Sequence, residues 1–272
     1  KGRNRPYFIS KLVRNIRRQT TDLDVKDVRA LMGRIEVVLG PTLPYDQVRE
    51  RLEHVFGIAN FSSAGRVKPN LEAIAEAILA DLEGENGANF RVSAKRGDKS
   101  FPMTSPQIER EIGARIHEKF KWPVKLDHPD FTVNVEMVGR EAFYSFGKQK
   151  GAGGMPTGVS GRVACLMSGG IDSPVAAYRL MKRGCSVVPI HFHSYPFVTK
   201  ASQEKVREIA EVLSRYQLRT SLRLVPFGEL QRQIVLEVPA PLRVVIYRRF
   251  MLRIAERLAR DARAKALVTG EA

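Results

Sequence analysis

The segment SGGIDS at residues 168–173 decides how the rest of the chain is interpreted. It follows an apolar run at 163–167 and precedes a helical pattern that opens at Pro174. Adjacent glycines let successive backbone N–H groups curl around an anion, and the helix N-terminus adds a partial positive charge. Pro174 suits the first helical position, where its missing N–H removes no hydrogen bond. The segment therefore predicts a phosphate-binding loop, to which Ser168 and Ser173 can add hydroxyl donors. No Gly-Lys-Ser/Thr follows, so it is not a Walker A loop.

The composition favours a protein that binds a polyanion. The 272 residues include 45 Lys and Arg against 29 Asp and Glu, which gives a net charge of +16. This excess favours nucleic acid first and an acidic membrane second, and a basic surface that is only solvated stays open. No apolar stretch approaches the ~20 residues of a membrane span, and no signal peptide is visible. The sequence therefore predicts a cytoplasmic protein without a membrane partner.

The two cysteines exclude a disulfide framework and a metal cluster. Cys165 lies within one apolar run and Cys185 opens another, so we expect both to be small buried hydrophobes. No metal site is predicted from the protein's own side chains alone.

Three folded units are predicted along the chain, with an α/β fold class overall. Residues 1–62 read as helix, strand, strand, helix, strand, which is a ferredoxin-like α+β order that lacks its first strand. Residues 63–148 read as an α/β unit, with helices over 70–82 and 105–120 and strands over 89–94, 124–126, 131–138 and 142–146. Residues 149–161 form a glycine-rich linker. Residues 162–272 alternate strands and helices, which predicts a doubly wound parallel sheet.

The parallel sheet predicts where a ligand binds. Three of its strands end at 166–167, 191–192 and 269–271, and ligands of such sheets bind outside the carboxyl ends of the strands. We expect phosphates on the loop at 168–173 and an adenine in an apolar slot that Leu166, Met167 and Phe192 could provide.

A basic turn in the second unit is a candidate RNA contact. Lys95, Arg96 and Lys99 surround the end of a predicted strand, and Phe101 follows them. Three cations around a turn suit phosphates, and an aromatic ring can stack on a base. The alternative is that Phe101 belongs to the core and that the charges are only solvated.

The loop resembles the PP-loop of ATP pyrophosphatases, which cleave ATP to AMP and pyrophosphate. The longer string SGGIDSPVA at 168–176, with HFHS at 191–194, is similar to the tRNA 4-thiouridine synthetase (tRNA uracil 4-sulfurtransferase) family. The turn GGMP at 153–156 fits the same family. The basic turn, with KSFP at 99–102 and EIG at 111–113, resembles its THUMP domain, which binds tRNA. The resemblance covers essentially the whole chain.

The resemblance implies a set of site residues. ATP contacts carry over to Leu166, Met167, Ser168, Gly169, Gly170, Asp172, Ser173, His191, Phe192, Arg248 and Gly270. The tRNA contacts would be Lys95, Arg96, Lys99 and Phe101, and the catalytic residues would be Asp172 and Ser173. Asp172 either helps to hold Mg²⁺ on the ATP phosphates or caps the following helix. Without the family, His191 reads as a strand-end histidine with an internal partner, and Arg248 reads as part of a basic helix face.

The implied reaction is a thiolation in two stages. A uridine at position 8 of tRNA is adenylated by ATP, and a persulfide from a cysteine desulfurase then replaces its 4-oxygen with sulfur. Family members also supply sulfur for thiamine thiazole synthesis, which would involve a sulfur-carrier protein. The resemblance allows a homodimer, and the sequence decides neither the oligomeric state nor the thiamine role.

The chain departs from the family pattern at its C-terminus. The sulfur-carrying cysteine of the family lies beyond the last residues here, and Cys165 and Cys185 do not occupy its position. We therefore expect a truncated chain that binds ATP and tRNA but does not complete sulfur transfer. Two alternatives stay open: another PP-loop tRNA-modifying enzyme, and an RNA-binding protein with a vestigial nucleotide fold.

Overall fold

The structure is a computed structural model that describes residues 2–85, 89–97 and 101–270. Within those residues, the helices are α1 (Arg5–Gln19), α2 (Tyr45–Leu52), α3 (Leu71–Asp81), α4 (Ser105–Phe120), α5 (Asp172–Lys182), α6 (Ala201–Gln217), α7 (Gly228–Glu237) and α8 (Ala240–Asp261). The strands over the same residues are β1 (Val25–Leu31), β2 (Arg34–Leu39), β3 (Asn60–Phe61), β4 (Gly65–Val67), β5 (Phe90–Arg96), β6 (Phe131–Val138), β7 (Glu141–Phe146), β8 (Gln149–Lys150), β9 (Arg162–Leu166), β10 (Ser186–His193), β11 (Arg223–Pro226) and β12 (Leu267–Val268).

The chain divides into two compact units. Unit 1 combines Lys1–Val25 and Leu39–Ala59 with Gly151–Ala272, and unit 2 combines Lys26–Val38 with Asn60–Lys150. The segment that resembles a ferredoxin-like domain therefore contributes to both units: α1 and α2 belong to unit 1, and most of the β1–β2 hairpin belongs to unit 2.

Unit 1 contains the predicted parallel sheet, in the order β11-β10-β9-β12 with every neighbouring pair parallel. One face packs Cys165 and Met167 against Met181 of α5 and Leu213 of α6. The other face packs Ala164 and Ile190 against apolar residues of α8. Helices cover both faces, as expected for buried parallel strands, and the predicted α/β fold class is confirmed.

Unit 2 is built on a mixed sheet in the order β4-β7-β6-β5, in which β5 and β6 are parallel. Ile108, Ile112 and Ile116 of α4 are fully buried, so the four-residue spacing of that helix faces the core as predicted. The predicted strand at 124–126 was wrong, because only Val124 forms an isolated bridge, with Phe90. Val124 and Leu126 are exposed, so no burial favours a longer strand there.

The glycine-rich segment is held by backbone hydrogen bonds. Gln149–Lys150 pairs with β3 as a two-residue strand, which the sequence did not predict. In unit 1, the Gly151 N–H donates to the Ala59 carbonyl at 3.0 Å, and the Gly57 N–H donates to the Gly153 carbonyl at 2.7 Å. A side chain at Gly151 would collide with the Ile58 carbonyl, so close backbone contact explains a glycine there.

Candidate functional site

The register of the parallel sheet brings the predicted strand ends together. Leu166 lies opposite Ile190, and the Met167 N–H donates to the Ile190 carbonyl at 2.8 Å, so the loop leaves β9 beside His191. On the other side, Val268 of β12 pairs with Cys165. The residues after β9, β10 and β12 therefore share one edge of the sheet, as the alternating strands and helices predicted.

Ser173 stabilises the loop at 168–173 from within. Its side chain is buried, and its Oγ accepts a hydrogen bond from the Ser168 N–H at 2.9 Å. The same Oγ lies 3.2 Å from the Ser168 Oγ, which in turn accepts from the Gly170 N–H at 3.3 Å. These bonds close the loop on itself between its first and last residues. The Ser173 hydroxyl is thus engaged with the loop, and its predicted catalytic contact stays a prediction.

The start of α5 presents N–H groups and one carboxylate at the loop. The helix begins at Asp172, two residues before the predicted start, so Pro174 occupies its third position rather than its first. Pro174 still removes no hydrogen bond, because the first four N–H groups of a helix lack intrahelical acceptors. Asp172 is exposed in the first turn, and the residue at the cap position is Ile171, which makes no side-chain cap. A carboxylate there fits an Mg²⁺ shared with nucleotide phosphates, because that ion is usually held by one or two carboxylates, substrate phosphates and several waters.

His191 is an internal residue of this edge. It is 5% exposed, its Nδ1 lies 2.9 Å from the Met167 carbonyl, and its Nε2 lies 3.4 Å from the Ser202 Oγ. This is the internal-partner alternative that the sequence left open. The ring fixes the strand next to the loop, so any nucleotide contact by His191 would come from its backbone.

The predicted adenine slot is only partly open. Met167 is 4% exposed and belongs to the core, whereas Leu166 and Phe192 are partly buried. Phe192 meets Phe227 edge-on at 5.6 Å between ring centroids. Leu166 and Phe192 thus retain the apolar surface that a base could cover.

Gly270 lies against the first residues of α5. A Cβ built on Gly270 would lie 2.5 Å from the Ser173 nitrogen and 2.6 Å from its Cα. Backbone this close leaves no room for a side chain, which explains a glycine after β12. Arg248 is exposed on α8, and its nucleotide contact stays a prediction.

Lys205 of α6 was missed by the sequence analysis. A Cβ built on Gly169 would lie 3.2 Å from the Lys205 Cδ and 3.8 Å from its Cε, so the lysine stem runs over the loop. An exposed lysine with a helical neighbour pattern gives no sequence signal; only the contact of α6 with α5 brings it here. The Lys205 ammonium, one bond beyond Cε, therefore places a positive charge near the loop.

Both cysteines are buried, as predicted. Cys165 is completely buried on the core side of β9, and burial raises its pKa to about 11. Burial also raises the pKa of Cys185, which is 8% exposed. Neither thiol is therefore an available nucleophile near neutral pH.

The basic turn of unit 2 is partly described. Lys95 is exposed at the end of β5, and the Arg96 guanidinium donates to the Phe101 carbonyl at 3.2 Å. Phe101 is half-buried and packs against the core of unit 2, which is the alternative left open above. Lys99 lies outside the described residues. Base stacking by Phe101 and phosphate contacts by these cations stay predictions.

Glu136 of β6 lies opposite Lys95 of β5 in the parallel pair of strands. Arg34 donates to it through two N–H groups, at 2.6 and 2.5 Å. Burial would raise the pKa of Glu136, but this hydrogen-bonded pair and the charges of Arg34, Lys148 and Lys95 outweigh it and lower the pKa. Glu136 thus stays ionised and offsets part of the positive charge near Lys95.

The described residues contain neither a cluster of metal-ligating side chains nor a membrane-spanning helix. Over residues 2–85, 89–97 and 101–270, no three His, Cys, Asp or Glu side chains converge as metal ligands. No helix in the same part of the chain is long and apolar enough to cross a membrane.

Family models match three consecutive segments of the chain. The ThiI ferredoxin-like domain matches residues 1–62, the THUMP domain matches 68–145, and the thiamine biosynthesis protein (ThiI) model matches 158–272. The fold and the family models therefore define the class as a THUMP-domain protein with an α/β domain built on a parallel sheet.

Individual proteins with similar sequences identify the family within this class. The chain is 46% identical to a probable tRNA sulfurtransferase of Thermus thermophilus, over 100% of this chain and 66% of that protein. A probable tRNA sulfurtransferase of Moorella thermoacetica is 41% identical, over 100% and 69%. The chain belongs to the ThiI family of tRNA sulfurtransferases, and it spans about two thirds of the length of these relatives.

Two solved structures share the fold. The crystal structure of a 4-thiouridine synthetase–RNA complex with bound ATP matches with a TM-score of 0.88 at 34% identity, covering 100% of this chain and 70% of that one. A Pyrococcus horikoshii protein matches with a TM-score of 0.78 at 25% identity, covering 98% and 83%. Both matches extend over essentially the whole chain.

Proposed function

We propose that this chain belongs to an ATP-dependent tRNA sulfurtransferase, and that its residues serve the adenylation of a tRNA uridine. The observation that carries the proposal is the hydrogen-bonded loop at 168–173. It lies at the same edge of the sheet as Gly270 and the C-terminal end of β10, which contains His191. Its support is family membership over the whole chain, and a similar structure that was solved with RNA and ATP.

The loop suits the chemistry of that step. The uridine 4-oxygen attacks the α-phosphate of ATP, the bond to the β-phosphate breaks, and pyrophosphate leaves. Backbone N–H groups of the loop and the N-terminus of α5 stabilise the charge on the leaving group. Lys205 adds a cation over Gly169. Asp172 would hold Mg²⁺, which supplies further charge neutralisation on the phosphates.

The second stage needs a thiol that this edge does not offer. The terminal sulfur of a persulfide attacks the adenylated carbon and displaces AMP, and a second thiol then breaks the S–S bond, which releases 4-thiouridine and leaves a disulfide between the two thiols. The two thiols of the chain are buried, and their raised pKa values suppress the thiolate. We propose that a cysteine outside these residues carries the persulfide, that a cysteine desulfurase supplies it, and that the same sulfur serves a thiamine sulfur-carrier protein. A homodimer belongs to the same proposal.

The basic turn is the proposed tRNA contact of unit 2. Lys95, Arg96 and Lys99 would hold phosphates, while the half-buried Phe101 positions Arg96 through its carbonyl. Exposed cations next to a strand end bind a backbone without reading its bases, so these residues would give affinity rather than sequence choice.

The decisive experiment measures pyrophosphate release from ATP with and without unmodified tRNA. Release by the purified chain that requires tRNA supports adenylation, and Gly169→Val serves as the inactive control. Adding a desulfurase and cysteine, with mass spectrometry of digested tRNA, tests for 4-thiouridine. A chain that binds tRNA but not ATP would instead be an RNA-binding protein with a vestigial nucleotide fold.

A further inference from the structure

A basic cavity of about 460 Å³ opens in unit 1 at the opposite edge of the parallel sheet from the loop. It is lined by Arg162 and Ser186, the first residues of β9 and β10, which pair with each other. The five residues of β9 separate this edge from the loop by roughly 16 Å, at ~3.3 Å per residue. The cavity is therefore distinct from the candidate nucleotide site.

The cavity carries a large excess of positive charge. Its lining includes Lys11, Arg162, Arg263 and Lys265 against a single carboxylate, Asp261. Asp261 lies 3.7 Å from Arg257, outside the lining. Within the described ranges, none of the four lining cations forms an ion pair with a carboxylate.

Lys11 is held in place by the cavity wall. A Cβ built on Gly158 would lie 2.8 Å from the Lys11 Cε and 2.9 Å from its Nζ, so the ammonium rests on that glycine. Burial, and then the charges of Arg14 and Arg18, lower the pKa of Lys11. Crowding of like charges at a half-buried lysine is unfavourable until an anion binds.

Arg263 enters the cavity lining through the turn that ends α8. Its φ of 54° is the left-handed conformation common just after a helix, and Lys121 and Leu218 end α4 and α6 in the same way. The Arg263 and Ala264 N–H groups donate to the Arg260 and Ala259 carbonyls, so the turn that places Arg263 in the lining is hydrogen-bonded.

The backbone around the cavity is already hydrogen-bonded. The Gly158 and Ser160 N–H groups donate to the Gly184 carbonyl, at 2.7 and 3.0 Å, and the Lys265 N–H donates to the Arg162 carbonyl at 2.8 Å. The Arg162 guanidinium donates to the Ala262 carbonyl at 2.6 Å, which covers one C-terminal carbonyl of α8. Because these backbone groups and one Arg162 N–H are already hydrogen-bonded, a ligand would be held by Lys11, Arg263, Lys265 and the other Arg162 N–H groups.

We propose that this cavity binds phosphate oxyanions, supplied either by the phosphodiester backbone of RNA or by a free phosphate. Four cations from three separate segments of the chain line the same cavity. The cavity is larger than a single ion needs, so it can hold successive phosphates of an RNA backbone. The RNA source rests on the proposed tRNA substrate, whereas the free-phosphate source does not.

The first arm of the test measures tRNA affinity by fluorescence anisotropy over a salt series. The variant is Lys11→Gln with Lys265→Gln, and the control is Arg51→Gln with Arg232→Gln, two arginines already paired with Asp22 and Glu229. Loss of up to two phosphate contacts should weaken binding roughly tenfold and reduce the salt slope by about one to two. The control should change neither value by as much, and Lys11→Arg with Lys265→Arg should retain parental binding.

The second arm measures the Tm with and without inorganic phosphate. Every protein in this arm carries Gly169→Val, so that the loop at 168–173 does not bind the added phosphate. Phosphate should raise the Tm of Gly169→Val, but it should not raise the Tm of the variant that also carries Lys11→Gln and Lys265→Gln. A change in the tRNA arm identifies the RNA backbone as the source, and a change in the phosphate arm alone identifies a free anion. No difference in either arm overturns the proposal. If the parent chain binds neither ATP nor tRNA, the proposed function fails while the phosphate arm still decides the cavity.

Discussion

The loop at 168–173 and the basic turn at 95–101 are both predicted to bind phosphates, but they are built in different ways. The loop uses backbone N–H groups, held by a buried serine and by close approach of Gly270. In the described part of the turn, Lys95 is exposed at the end of β5, and the Arg96 guanidinium donates to the Phe101 carbonyl. A backbone site leaves a strict residue pattern because only certain residues fit, whereas a side-chain site tolerates many arrangements of Lys and Arg.

The largest expected effect breaks the loop. Gly169→Val places a β-branched side chain where the Lys205 stem already lies 3.2 Å from a built Cβ. We expect ATP affinity to fall at least about 100-fold, measured by isothermal titration calorimetry, which corresponds to roughly 2.8 kcal/mol. Tm should change little, because Gly169 lies in the loop and not in the core.

A matched control separates the loop from glycine replacement in general. Gly113→Ala in α4 adds a Cβ at an ordinary 3.8 Å from Val92 and should leave ATP affinity unchanged. If folded Gly169→Val binds ATP as tightly as the parent chain, the loop does not bind the phosphates.

The next effect tests the Mg²⁺ role of Asp172, because the capping alternative was wrong: Asp172 lies in the first turn of α5, and Ile171 occupies the cap position. Asp172→Asn keeps the shape of the side chain but removes the charge that an Mg²⁺ role requires. We expect about a tenfold loss of ATP affinity with Mg²⁺ and little change with EDTA present. Equal affinities with Mg²⁺ would assign Asp172 to the helix start alone.

The difference between the two regions also explains what the sequence could predict. The alternating strands and helices of unit 1 and the Ser-Gly-Gly signal placed 166–173, 191–192 and 269–270 on one edge, because parallel topology leaves few choices. The sequence could not show that the His191 ring has two internal partners, or that Lys205 covers Gly169. Those facts depend on how α6 packs, and a surface lysine carries no local signal.

A smaller effect is expected in the basic turn. Lys95→Ala with Lys99→Ala should weaken tRNA binding and reduce the salt slope by roughly one to two, while ATP affinity stays the same. The control is Arg115→Ala with Lys119→Ala, whose charges are paired with Glu72 and Glu83 in the same unit. An unchanged slope in the Lys95 variant would mean that these lysines are only solvated and that the two regions do not share a function.

The smallest effect concerns the thiols, which lie near the loop in sequence but should not take part in its chemistry. With a pKa of about 11, Cys165 is thiolate to only about one part in 10³ at pH 8, so it should react with iodoacetamide far more slowly than an unfolded cysteine. Cys185 is less buried, and its pKa is raised as well, so we expect it to react first. Mass spectrometry of the alkylated protein gives the order of reaction.

The folded state holds the Cys165 proton more tightly than the unfolded state. The contribution of this proton to the free energy of unfolding is therefore complete below about pH 8.5 and is lost as pH rises toward 11.

Cys165→Ser and Cys185→Ser should leave tRNA-dependent pyrophosphate release nearly unchanged. Rapid alkylation of native Cys165, or loss of 4-thiouridine on its replacement in a protein that makes it, would place the sulfur chemistry at β9 instead.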